Sequence, residues 1–176
     1  RAAVQWRDNG YGAPILIGRV DRIQTLMKKM SVTNSENIEI ANAAISPHVE
    51  GYIDYLYPRL QRIGYLYRDV ARMVKNDRDI FASCMLAMGH GDALITGLTR
   101  NYTVSLDNIS RVINTKKDEF LFGISLIVAK GKTIFFSDTT VQELPTPEQL
   151  AHIAIKTAEK AKKMGHEPRV ALLSFS

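Results

Sequence analysis

Between residues 97 and 105 the chain reads Gly97-Leu-Thr-Arg-Asn-Tyr-Thr-Val-Ser105, a set of residue types suited to holding an anion. A glycine lets backbone come close to a ligand. Thr99, Thr103 and Ser105 bring hydroxyls. Arg100 brings a planar guanidinium that can meet two oxygens of a phosphate at once. The stretch follows an apolar run and leads into residues at helical spacing, so the amides and dipole of a helix start would add to the hold. A plain strand-to-helix loop with an N-cap accounts for the same composition, and both readings stand at this level. Asp138, in Ser137-Asp-Thr-Thr140, follows another apolar run. Such an Asp can orient a ligand or bind a metal, and most often caps a turn. Arg59 and Arg62 lie on a helix rich in aromatics, either solvated or within reach of an anion in a cleft. Ser174 and Ser176 follow the apolar run 170–173, and in open α/β sheets ligands bind just outside the carboxyl ends of strands.

Other chemistries lack their residues. There is no GxGxxG, P-loop, GxSxG or CxxC, and His48, His90, His152 and His166 have no metal-ligand spacing. The single cysteine, Cys84, excludes an intrachain disulfide and favours a cytoplasmic setting. It sits in an apolar stretch, where a structural thiol is the expected role. The net charge of +5 fits a Lys-rich surface or an anionic ligand. The basic residues form no tract, which argues against nucleic acid as a partner. No apolar run reaches membrane-spanning length, so no membrane partner is expected.

The elements that must position these residues alternate. Residues 1–8 read as a helix closed by Asn9-Gly10. Pro14-Ile-Leu-Ile-Gly18 reads as a buried parallel strand. Residues 20–30 form a helix with Ile23, Leu26, Met27 and Met30 on one face, and Ile38-Glu-Ile40 is a second strand. Residues 47–64 form a helix with Tyr52, Tyr55, Leu56, Leu60 and Ile63 at three- and four-residue steps, kinked or restarted at Pro58. A short helix follows over 67–75, then an apolar stretch over 79–88 stopped by Gly89-His-Gly91. Residues 93–97 read as a strand and 105–113 as a helix. Residues 120–129 and 133–136 read as strands joined through Lys130-Gly-Lys132 into a hairpin. Thr146-Pro-Glu-Gln149 starts a helix that runs to about Met164, and 170–173 is the last strand. Helices alternating with strands indicate an α/β domain with a largely parallel sheet.

Four blocks carry a resemblance: Gly12-Ala-Pro-Ile-Leu-Ile-Gly-Arg19, Asp92-Ala-Leu-Ile-Thr-Gly97, Phe136-Ser-Asp-Thr139 and Pro168-Arg-Val-Ala-Leu-Leu-Ser-Phe-Ser176. In this order they resemble the phosphate acetyl/butyryltransferase family over nearly the whole chain. Tyr55-Leu-Tyr-Pro-Arg-Leu-Gln-Arg-Ile-Gly64 and the 97–102 stretch are similar to one branch, the transferase-like C-terminal domain of bacterial NADP-dependent malic enzymes of the alphaproteobacterial type. The resemblance implies a three-layer α/β/α fold like that of isocitrate and isopropylmalate dehydrogenases. Residues 1–176 would be the N-terminal portion of such a domain, without its first strand and its second half. It implies acetyl-CoA or CoA and phosphate or acetyl phosphate as ligands. NADP and a divalent metal would belong to the catalytic domain of the same polypeptide, and the whole would be a homo-oligomer. The implied ligand-binding residues are Arg59, Gly97, Thr99, Arg100, Ser105, Asp138, Ser174 and Ser176. Arg59 and Ser174 are the nearest to a catalytic role.

One departure bears on activity. The resemblance implies an arginine near the start of the helix after Gly97, and Asp107 stands there. Arg100 stands where the family has a histidine. A carboxylate repels an acyl phosphate rather than stabilising its developing charge. The leading expectation is therefore an acetyl-CoA-sensing and oligomerising domain of an NADP-dependent malic enzyme. The alternative is an active phosphate acetyltransferase, exchanging acetyl between CoA and phosphate.

Overall fold

The computed structural model describes residues 1–32 and 34–173. It divides into two units, Arg1–Asn114 and Thr115–Ser176.

In the first unit, helix α1 (Ala2–Asp8) precedes β1 (Ile15–Ile17), α2 (Val20–Lys29) and β2 (Glu39–Ala41). The two strands pair in parallel, Ile15 opposite Glu39 and Ile17 opposite Ala41. Parallel strands need a crossover, and α2 supplies it. Ile23, Met27 and Met30 form the half-buried face of this segment. Leu26, expected on that face, is exposed.

The core lies in four helices: α3 (Val49–Leu60), α4 (Tyr67–Asn76), α5 (Arg78–Ala87) and α6 (Tyr102–Val112). Helix α3 buries Val49, Tyr52, Ile53, Leu56 and Leu60, the spacing of one helical stripe. Tyr55 and Ile63, expected on the stripe, are exposed, and Ile53 takes their place. Pro58 neither ends nor restarts α3. The helix runs through it to Leu60, tightens into a 3-10 turn over Gln61–Ile63, and stops at Gly64, whose φ of 94° a side chain would resist. Val70 and Val74 of α4, Ile80, Phe81 and Cys84 of α5, and Val112 of α6 close on α3. Tyr52 and Phe81 meet edge-on at 5.2 Å, the orientation the ring quadrupoles favour.

In the second unit β3 (Ile124–Ala129) and β4 (Lys132–Ser137) form an antiparallel hairpin, Ala129 opposite Lys132. Lys130 and Gly131 both take positive φ, 49° and 72°, as a two-residue primed turn requires. Helix α7 (Pro147–Lys163) opens on a reciprocal cap. The Gln149 amide N–H donates to Thr146 Oγ1 at 3.3 Å, and the Thr146 N–H donates to Gln149 Oε1 at 2.9 Å.

Two expected strands are absent. Residues 93–97 and 170–173 are irregular, with Ile95 and Leu173 both 83% exposed. A strand needs a neighbour to take its backbone groups, and β-forming residues without one do not make a ladder. In place of one largely parallel sheet, the described residues form two two-stranded sheets, one parallel and one antiparallel. The fold is α/β with helices and small sheets. Among the described residues no helix is long and apolar enough to cross a membrane.

Candidate functional site

The 96–105 stretch is organised by two carboxylates that lie outside it. Asp77 precedes α5 in extended backbone and turns Oδ1 onto the helix start, accepting the Asp79 and Ile80 amides at 2.9 and 3.2 Å. This is the N-cap that lets α5 begin at Arg78. Its Oδ2 accepts from Arg100 Nη1 at 2.5 Å and from Asn108 Nδ2 at 3.2 Å. Asp79, 5% exposed, accepts from Thr96 Oγ1 at 2.6 Å through Oδ1 and from Ser105 Oγ at 2.9 Å through Oδ2. Arg100 Nη1 lies 3.6 Å from that second oxygen. The bond to Asp77 raises the Arg100 pKa above its ordinary value; burial opposes this, and the charges of Asp77 and Asp79 add to it. A buried carboxylate is tolerated only when its oxygens are hydrogen-bonded, and here two hydroxyls do that.

The expected site residues therefore separate. Arg100 and Ser105 come together in this cluster. Gly97 (φ 104°) and Thr99 lie on the same loop, exposed. No atom lies within 4 Å of where a Gly97 side chain would begin, and its positive φ is what favours glycine there. Helix α6 begins where Asn101 accepts the Thr103 amide at 3.1 Å.

Arg59 lies at the opposite end of α6. Its Nη1 donates to the Val112 carbonyl at 3.1 Å. Its Nη2 donates to the Ser110 carbonyl at 3.0 Å and to Asn114 Oδ1 at 2.5 Å. The last carbonyls of a helix have no partner within it, and Arg59 supplies one from another helix. Asp107, on α6, pairs with Arg111 one turn on at 2.6 Å.

Asp138 belongs to the second unit and binds backbone. Its carboxylate accepts the amides of Gly123 (2.8 Å), Thr140 (3.1 Å), Val141 (3.2 Å) and Gln142 (2.6 Å). Burial pushes its pKa up, but the four N–H groups outweigh that and hold it below the usual carboxylate value. Ser174 and Ser176 lie outside the described residues.

Cys84 is fully buried and its pKa is pushed up to about 12 by burial, which suits packing and not nucleophilic attack. Among the described residues no group of three or more His, Cys, Asp or Glu side chains could hold a metal ion. The sequence reading missed Asp77, Asp79, Thr96 and Asn108. For Asp77 a signal existed: an Asp directly before a helical apolar run is an N-cap pattern.

A helical core with small sheets makes an α/β fold of phosphotransacetylase shape. The EutD phosphotransacetylase from Staphylococcus aureus superposes on it with a TM-score of 0.83 at 25% identity, over 99% of this chain and 52% of that one. All of residues 1–176 match the family described as phosphate acetyl/butaryl transferase, and the chain belongs to that family. It is 51% identical over 176 residues to a probable NADP-dependent malic enzyme of Rickettsia prowazekii, strain Madrid E, covering 99% of this chain. It is 40% identical over 177 residues to the NADP-dependent malic enzyme of Rhizobium meliloti, strain 1021, covering 100% of this chain. It spans 23% of the length of each of these two relatives.

Proposed function

We propose that this chain forms part of a phosphotransacetylase-like domain of a cytoplasmic NADP-dependent malic enzyme, and that the domain binds acetyl-CoA as an effector without transferring its acetyl group. The complete domain would be the two-lobed, three-layer α/β/α fold of the isocitrate dehydrogenase type. The full-length polypeptide would oxidatively decarboxylate malate to pyruvate, with NADP and a divalent metal held in its catalytic domain, and would work as a homo-oligomer. Acetyl-CoA would act by binding two states of that oligomer with different affinity.

The observation that carries this reading is the state of the cations on and around α6. A transferase needs cationic groups aimed at the phosphoryl oxygens as charge develops. Where the resemblance implies an arginine, α6 carries Asp107, already paired with Arg111. Arg59 is held by the carbonyls at the end of α6. Neither supplies a cation free to meet an acyl phosphate.

The test uses the full-length polypeptide. Calorimetric titration with acetyl-CoA is expected to give saturable binding. A thiol assay is expected to show no phosphate-dependent release of CoA from acetyl-CoA. Steady CoA release would replace this reading with an active phosphate acetyltransferase. Absence of both binding and release would leave the domain an assembly element only.

A further inference from the structure

We propose that Asp79, acting with Asp77, sets the ligand class of the 96–105 loop. The pair takes up the donors of Thr96, Arg100 and Ser105, so that the loop rejects inorganic phosphate and acyl phosphate. This deepens the effector reading above and rests on it.

The donors decide the matter. A phosphate site on this loop would draw on Arg100 and on nearby hydroxyl protons. A hydroxyl has a single proton to give. Thr96 gives its proton to Asp79 Oδ1 and Ser105 gives its own to Asp79 Oδ2, which leaves neither proton for a phosphate oxygen. Arg100 Nη1 faces Asp77 Oδ2 at 2.5 Å and Asp79 Oδ2 at 3.6 Å. One guanidinium between two carboxylates leaves the cluster net negative. The side chains of Arg100, Asp77 and Asp79 are only 33%, 24% and 7% exposed, so water screens these charges weakly. A phosphate would have to displace Asp77 from Arg100 or share it with both carboxylates. Asp79 cannot swing aside, because both its oxygens are held.

Two variants of the full-length protein test this. Asp79→Asn removes the charge and keeps the shape. Its amide can still accept from one hydroxyl and donate to the other, which frees a hydroxyl proton for a ligand. Asp77→Asn removes the second charge, and Asn is as good an N-cap as Asp, so α5 keeps its start should the first variant fail to fold. Binding of inorganic phosphate is read by phosphorus NMR titration. Each folded variant is expected to bind phosphate about tenfold more tightly than the wild type, a difference of about 1.4 kcal/mol. Adding Arg100→Ala to either is expected to abolish the gain. Unchanged phosphate affinity in the folded amide variants would overturn the proposal, as would a gain that survives loss of Arg100. Acetyl-CoA titration of the wild type in parallel separates the two ideas. If acetyl-CoA does not bind, the effector reading fails whatever phosphate does.

Discussion

Arg59, a candidate anion ligand by sequence, is tied by its guanidinium to the end of α6. Its type and helix position made it a candidate anion ligand, and its three acceptors make it a clamp between α3 and the end of α6. The two roles predict different losses. Arg59→Ala leaves helix-terminal carbonyls without their charged donor, and hydrogen bonds from charged groups contribute about 1.5–3 kcal/mol. We therefore expect denaturant unfolding of the first unit to show a loss of about 2 kcal/mol, with acetyl-CoA affinity little changed. A large drop in affinity at unchanged stability would return Arg59 to the ligand site. The same limit applied to Asp79. Its partners Thr96 and Ser105 lie 17 and 26 residues away, and neither spacing nor composition links a carboxylate to hydroxyls at that distance. Arg100 and Ser105 were legible because one loop and one helix start carry both.

At the scale of elements, what could be read was whatever closes within a few residues. The Thr146–Gln149 capping box and the Lys130-Gly131 turn depend on neighbours in sequence, and both formed as expected. The strands expected at 93–97 and 170–173 depend on a partner strand, and apolar residues alone did not supply one. Asp138 belongs with the local class: it ties the residue before β3 to the turn after β4 through four backbone amides. Asp138→Ala should destabilise the second unit by about 1–3 kcal/mol at neutral pH. Its pKa is depressed in the folded state, so its contribution is fully present above the unfolded Asp value of about 4 and fades as pH falls through the folded value. Thermal melting of wild type and variant between neutral and acid pH should show the two converging as the carboxyl protonates. A penalty that stays constant with pH would mean the charge plays no part in the turn.

At the scale of the molecule, burial is distributed unevenly between the two units. The first unit buries Tyr52, Ile53, Leu56, Leu60, Val70, Val74, Ile80, Phe81 and Cys84 in one cluster. In the second, only Ile153 and Ala161 are buried hydrophobics among the described residues, while Leu126, Ile127, Val128, Ile134 and Phe136 of the hairpin are 43–69% exposed. Burial of apolar area is the main favourable term in folding, and local opening follows where it is sparse. A two-stranded hairpin has marginal stability of its own without a packed face. For these 176 residues, amide hydrogen exchange should be slowest in α3 and α5 and at least tenfold faster in β3 and β4, although both sets of amides are hydrogen-bonded. Equal protection in the two units would mean that the hairpin opens only with the helical core, and that the core's stability extends beyond the residues that line it. In the full-length polypeptide, slower hairpin exchange than in the 176 residues alone would show that further chain covers those exposed side chains. Unchanged exchange would mean that the hairpin's apolar faces stay open to water there as well.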